Sequence, residues 1–148
     1  LRALSSAIND PTTAVEATLR VCSLLRRLLV MPSPLRAVAG PDGRILLRPW
    51  VLDAEEYIAH GFDQLRQVAP GQPLVAATIL RVLRMLIARV QEEDRNEYVP
   101  ALREQADLLL ESLAKTPDLH PRDLMRLRAI AANSTDPADH SNRRRLTP

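Results

Sequence analysis

The sequence predicts an all-α bundle of about five helices, with a small β-hairpin inserted between helices one and two. Three observations predict it. Apolar residues recur at three- and four-residue spacings in five separate stretches, the period of a helix with one buried face. Leu, Ala, Arg and Glu are abundant and only 4 glycines interrupt 148 residues, which favours helix over strand. The single departure is an Asp-Gly dipeptide between two short apolar runs, a signal of a tight hairpin turn.

The first helix starts at Asn9-Asp10-Pro11, where Asp10 can cap and Pro11 suits the first helical position because its missing N–H is no loss. It should run to about Val30. Val15, Cys22, Leu25 and Leu29 share one face, and Leu24 and Leu28 widen it. With only Glu16, Arg20, Arg26 and Arg27 charged, this helix is expected at the centre of the bundle. Met31-Pro32-Ser33-Pro34 stops it. The hairpin, about residues 36–48, turns at Gly40-Pro41-Asp42-Gly43. An isolated two-stranded hairpin is marginal in water, so it is expected to pack on the helices.

Asp53 caps the second helix, about 54–69, with Ile58, Phe62, Leu65 and Ala69 on one face. Pro70-Gly71-Gln72-Pro73 ends it and opens the third, about 73–93. There Leu74, Val75, Ile79, Val82, Leu83, Leu86, Ile87 and Val90 form a broad apolar face, and Arg81, Arg84 and Arg89 point elsewhere. The fourth, about 97–114, carries the stripe Leu102, Ala106, Leu109, Leu110 and Leu113, with Pro100 tolerable in its first turn. The fifth runs from Pro121 to about Ala132 with Leu124, Leu127 and Ile130 inward. The helical domain is thus 1–132, followed by a polar tail, 133–148, expected to be disordered. Leu1-Arg2-Ala3-Leu4 reads as the end of a helix already in progress, so a longer protein is expected upstream.

Composition removes several function classes. The 20 basic residues face 18 acidic ones, so no nucleic-acid footprint stands out and no nucleic-acid partner is expected. Lys115 is the only lysine. Codon usage accounts for such an arginine excess; the alternative is anion recognition by the guanidinium fork. Cys22, the only cysteine, permits neither an internal disulfide nor a zinc cluster and suits the core. The longest uncharged run, Gln67 to Leu80, contains Pro70, Gly71 and Pro73 and is too short to span a bilayer, so the chain as given is expected to be soluble. His60, His120 and His140 lie on separate elements, and no metal or other cofactor is expected. No Gly-x-Ser-x-Gly elbow or Gly-rich phosphate loop occurs. Glu55-Glu56 and Glu92-Glu93-Asp94 read as solvated helix ends, and Arg143-Arg144-Arg145 as a solvated tail.

Two segments are less ordinary. Ser5 to Ala14 places hydroxyl, amide and carboxylate groups around a helix N-terminus, where unpaired N–H groups and partial positive charge suit an anion. Asn9, Asp10, Thr12 and Thr13 are its candidate ligand-binding residues; the alternative is that they simply cap the helix. In Phe62-Asp63-Gln64-Leu65-Arg66-Gln67, Asp63 and Arg66 share a helical side. They form an internal ion pair, or Arg66 reaches the first segment and makes a polar junction between helices one and two.

These segments carry a resemblance. Leu4-Ser5-Ser6-Ala7-Ile8-Asn9-Asp10-Pro11 is similar to the signature of a family of predicted bacterial membrane proteins, domain of unknown function twenty-two fifty-four, with Ser6 where the family reads proline. Phe62 to Gln67 resembles a second family motif and Arg103-Glu104-Gln105-Ala106-Asp107 a third. The resemblance is taken to run from about Leu1 to Ala132. It implies transmembrane helices before Leu1, so that this chain is the soluble C-terminal domain and its partner the membrane-spanning part of the same protein; a cytoplasmic location is a separate expectation. It brings no activity or catalytic residue. The leading expectation is a non-enzymatic interaction or regulatory domain, with homo-oligomerisation as a further expectation. The alternatives are a sensor of a small anionic ligand at Asn9, Asp10, Thr12, Thr13, Asp63 and Arg66, and a hydrolase or transferase using Asp10, His60 or Asp63.

Overall fold

The computed structural model describes residues 10–32, 35–48, 50 and 52–132. Asn9 and the expected tail at 133–148 lie outside the described residues. The element order is α1 (Pro11–Leu28), β1 (Ala37–Ala39), β2 (Ile45–Leu47), α2 (Ala54–Val68), α3 (Pro73–Glu92), α4 (Val99–Ala114) and α5 (Pro121–Ala132). This is an all-α bundle with a two-stranded antiparallel insertion between α1 and α2.

Local chemistry sets the boundaries. Prolines occupy the first turns of α1, α3 and α4, where a backbone N–H has no intrahelical partner to lose. Asp53 and Glu56 form a reciprocal capping box at the start of α2: Glu56 N donates to Asp53 Oδ1 at 2.8 Å and Asp53 N to Glu56 Oε2 at 2.7 Å. Helix α3 ends in a Schellman turn, with Arg95 N donating to Val90 O at 2.7 Å and Asp94 N to Gln91 O at 3.2 Å. The turn requires a left-handed residue, and Asp94 supplies it at φ 55°. A single 3₁₀ turn, Asn96–Tyr98, then leads into α4, which starts two residues later than the sequence predicts.

The centre of the bundle is α3, not α1 as the sequence reading expects. Every residue from Val75 to Leu80 is buried, followed by Val82, Leu83, Leu86, Ile87 and Val90. A helix buried all round over Val75–Leu80 must be surrounded there, though Arg81, Arg84, Met85 and Ala88 keep one face of its second half exposed. Helix α3 packs against α1, α4 and α5, while α2 lies mainly on α4 and α1. Helix α1 buries a narrower stripe: Ala14, Thr18, Cys22 and Leu25, continued by Leu29. Leu24 and Leu28, expected to widen that face, are exposed, because they sit roughly a quarter to a third of a turn away from the stripe. Leu74, expected inward in α3, is exposed in the first turn. Buried Thr18 donates to Ala14 O at 2.8 Å, so its hydroxyl is satisfied within α1.

The hairpin pairs Ala37 with Leu47, Val38 with Leu46 and Ala39 with Ile45. Arg44 N donates to Pro41 O at 3.3 Å across Asp42 and Gly43, both at positive φ (61° and 72°). Two left-handed central residues match the twist of the flanking strands, which is why Asp-Gly stands there. The expectation that this hairpin packs on the helices is overturned: none of its strand residues is buried. Its aliphatic side chains gain nothing from the core formed by α1 to α5.

This division of burial gives a direct test. Phe62, fully buried at the centre of α2, should cost about 3–5 kcal/mol of unfolding free energy when changed to Ala, whereas Ile45→Ser in the hairpin should cost less than about 0.5 kcal/mol. Chemical denaturation followed by far-UV circular dichroism measures both. A comparable loss for the two variants would mean that the hairpin is part of the folded core.

Candidate functional site

At the start of α1, Asp10 is a helix cap. Its Oδ1 accepts from Thr12 N and Thr13 N, each at 3.1 Å, and the Thr13 hydroxyl donates to Oδ2. These bonds, the Thr13 hydroxyl first and the Thr13 N–H next, hold the Asp10 carboxyl below its ordinary pKa. The two amides that would receive an anion are therefore already occupied by the chain's own carboxylate. Thr12 and Thr13 are exposed, and Asn9 lies outside the described residues.

Asp63 and Arg66 belong to a different place. Arg66 Nη2 lies 3.6 Å from Asp63 Oδ1, a long ion pair within α2. The same oxygen accepts from Gln105 Nε2 of α4 at 2.9 Å. The polar junction thus joins α2 to α4, not α1 to α2. Gln105 is 8% exposed, a polar residue on the stripe that also presents Leu102, Leu109 and Leu113 to the core. The sequence held a signal for it: Gln105 stands three residues after Leu102 and four before Leu109, an inward position. It also lies in the third resembling motif, and Asp63 in the second, so the structure brings those two motifs into contact.

The junction is incompletely satisfied. Arg66 Nε and Gln105 Oε1 are both buried without a hydrogen-bond partner. Each such group costs about 1–3 kcal/mol in lost solvation, so the arrangement gives little net stability and acts mainly to orient α2 on α4.

The other chemistry-bearing residues are locally engaged. His60 Nδ1 is 2.7 Å from Glu56 O, one turn back on α2. His120 Nδ1 accepts from Arg122 N at 3.1 Å at the entry to α5. Asp10, His60 and Asp63 each bond to a separate partner, and none of these bonds links one of the three to another. Among the described residues no group of three or more His, Cys, Asp or Glu could hold a metal ion. Burial raises the Cys22 thiol above its ordinary pKa, against a smaller opposing effect of Arg26, which suits a core thiol and not a nucleophile. An open groove of about 510 Å³ runs beside the end of α1, lined by Ser23, Arg26, Arg27, Val30, Met31 and Arg89, but Arg89 is already paired with Glu92 and Glu93. Nearby, Arg95 clasps the chain: Nη1 donates to Met31 O at 3.2 Å, Nε to Glu97 Oε1 at 2.6 Å and Nη2 to the Tyr98 hydroxyl.

Residues 1–85 match the family described as predicted membrane protein (DUF2254). The chain belongs to that family. The DUF2254 match takes in α1, the hairpin, α2 and the first part of α3; Gln105 and the rest of the third motif lie beyond it. Among the described residues no helix is long and apolar enough to cross a membrane. No curated protein and no solved structure matches the chain.

Two outcomes follow from this geometry. Gln105→Leu should leave stability within about 1 kcal/mol of wild type or raise it, because it removes a buried orphan acceptor while half-exposed Asp63 returns to water; Gln105→Ala should cost about 1–3 kcal/mol through the cavity it leaves. A large loss for Gln105→Leu would make the hydrogen bond to Asp63 a net stabiliser. The second concerns pH. A carboxyl with a lowered folded pKa contributes stability that is complete above its unfolded pKa and lost as pH falls through the folded one. Asp10→Asn should therefore flatten the melting-temperature profile below about pH 4 and leave its shape near neutrality unchanged.

Proposed function

We propose that this helical region is a non-enzymatic interaction or regulatory domain of a DUF2254 membrane protein, and that it works by pairing with a second copy of itself through α1. One observation carries the reading: a second apolar row on α1, separate from the buried stripe. Ala17, Val21, Leu24 and Leu28 follow spacings of four, three and four residues, the repeat of a helix–helix seam, and Met31 stands three residues past Leu28, just beyond the helix. Ala17, Leu24, Leu28 and Met31 are exposed, Leu24 at 62%. Val21 is half-buried beside Gly61 of α2, where an added Cβ would come within 3.1 Å of it.

A row of this kind is self-complementary about a two-fold axis, so one surface serves both partners. Anion sensing at the start of α1 would require a ligand to displace Asp10 from the Thr12 and Thr13 amides; the apolar row needs no such displacement. The membrane-spanning part of the same protein is the second partner in this reading, with the domain on the cytoplasmic side. The lone, buried Cys22, which needs no oxidising compartment, fits that side.

Light scattering across a concentration series tests it. The wild-type chain should shift from monomer to dimer as concentration rises, and Leu24→Glu combined with Leu28→Glu should stay monomeric with a melting temperature close to that of dilute wild type. A wild-type chain that stays monomeric at millimolar concentration would overturn the pairing.

A further inference from the structure

We propose that the β1–β2 hairpin is a membrane-surface element that seats on an anionic lipid bilayer. The inference goes beyond the α1 reading and rests on different residues, so either can fail alone. Successive strand residues point to opposite sides of a hairpin, and residues paired across it share a side. The register therefore puts Ala37, Ala39, Ile45 and Leu47 on one face, which carries no charge. The other face carries Val38 and Leu46, with Arg36, Arg44 and Arg48 around them by the same alternation.

Nothing in the helical core covers either face. Ile45 is 66% exposed, Leu47 68%, and Trp50, just after β2, 93%. An uncovered two-stranded hairpin of this length is marginal in water, so the conformation calls for a contact outside the core. The charges select its chemistry. Between residues 35 and 50 three arginines stand against one acid, Asp42 at the turn, and none of the three has an ion-pair partner among the described residues. A second copy stacked on the aliphatic face would cover Ile45 and Leu47 but leave the arginines without anions. A bilayer surface supplies both: the uncharged face enters the boundary between headgroups and acyl chains, and the arginines extend along their stems to lipid phosphates. Trp50 has the amphipathic ring that settles at that depth. Membership of a predicted membrane protein family places such a surface within reach of the domain.

Trp50 is the only tryptophan, so its emission reports on the hairpin directly. The 148-residue chain is titrated with vesicles of phosphatidylglycerol and phosphatidylcholine, and with phosphatidylcholine alone. The expected result is a blue shift on the anionic vesicles that weakens with salt and is small on the neutral ones. Replacing Arg36, Arg44 and Arg48 together with Gln should weaken the apparent affinity about a hundredfold. Ile45→Ser with Leu47→Ser should abolish the shift at unchanged helical circular dichroism. Unaltered Trp50 emission on anionic vesicles would overturn the proposal. So would a blue shift without lipid that grows with protein concentration, which would assign the face to a second copy.

Discussion

The whole arrangement depends on one constraint: the Val75–Leu80 stretch of α3 is apolar on nearly every side and has to be taken out of water on nearly every side. Six consecutive residues, Val75 to Leu80, are buried, and no single partner helix can cover six consecutive positions. At least three neighbours are needed, and α1, α4 and α5 supply them. Once that shell exists, each outer helix needs only one inward stripe. Ala14-Thr18-Cys22-Leu25 in α1 and Leu102-Gln105-Leu109-Leu113 in α4 are such stripes. The placement of α2 follows last, through Phe62 and the contact between Asp63 and Gln105.

That last contact has a different character from the core. Packing alone would hold α2 by Ile58, Phe62 and Leu65, all buried. Gln105 adds direction: a single acceptor, Asp63 Oδ1, receives both the cross-helix amide and, at longer range, Arg66. Two orphaned polar atoms remain beside it. A pair of apolar residues would pack there at lower cost in solvation, so the polar set is better understood as fixing the register of α2 on α4 than as strengthening the fold. Arg95 plays a comparable part at the other end of α3, tying the α3–α4 connection to the backbone of Met31 beyond α1.

Helix starts were legible in the sequence because they are written in residues with little freedom. Pro11, Pro73 and Pro121 each open a helix within the position expected, and Asp10 and Asp53 cap as their chemistry requires. The Asp42-Gly43 turn was legible for the same reason. Which helix lies at the centre was not. Apolar content alone made α1 a candidate, but Leu24 and Leu28 turn away from the stripe, and only the packing of the other helices decides that. The candidate site was legible in part. Asp63 and Arg66 do form an ion pair, but the third member, Gln105, is 42 positions away along the chain, and helical periodicity carries no information on which stripes meet.

The distribution of exposed apolar residues separates what closes the core from what faces outward. Leu19, Leu24, Leu28, Met31, Leu35, Val38, Ile45, Leu46, Leu47, Trp50, Leu74 and Met85 all lie within the DUF2254 match; Met125 is the one large exposed hydrophobic outside it among the described residues. Isolated exposed leucines are ordinary on any protein surface. Here several of them cluster, Leu24 and Leu28 on one side of α1 and Val38, Ile45, Leu46 and Leu47 on the two faces of the hairpin, and clustering of this kind costs solubility without strengthening the core. Helix α4 contributes mainly a buried stripe, and α5 one buried residue, Leu127, with Leu124 and Ile130 partly buried against the core, as expected of a part that completes the bundle around α3. Both proposed contacts, through α1 and through the hairpin, draw on the exposed apolar residues between α1 and Trp50.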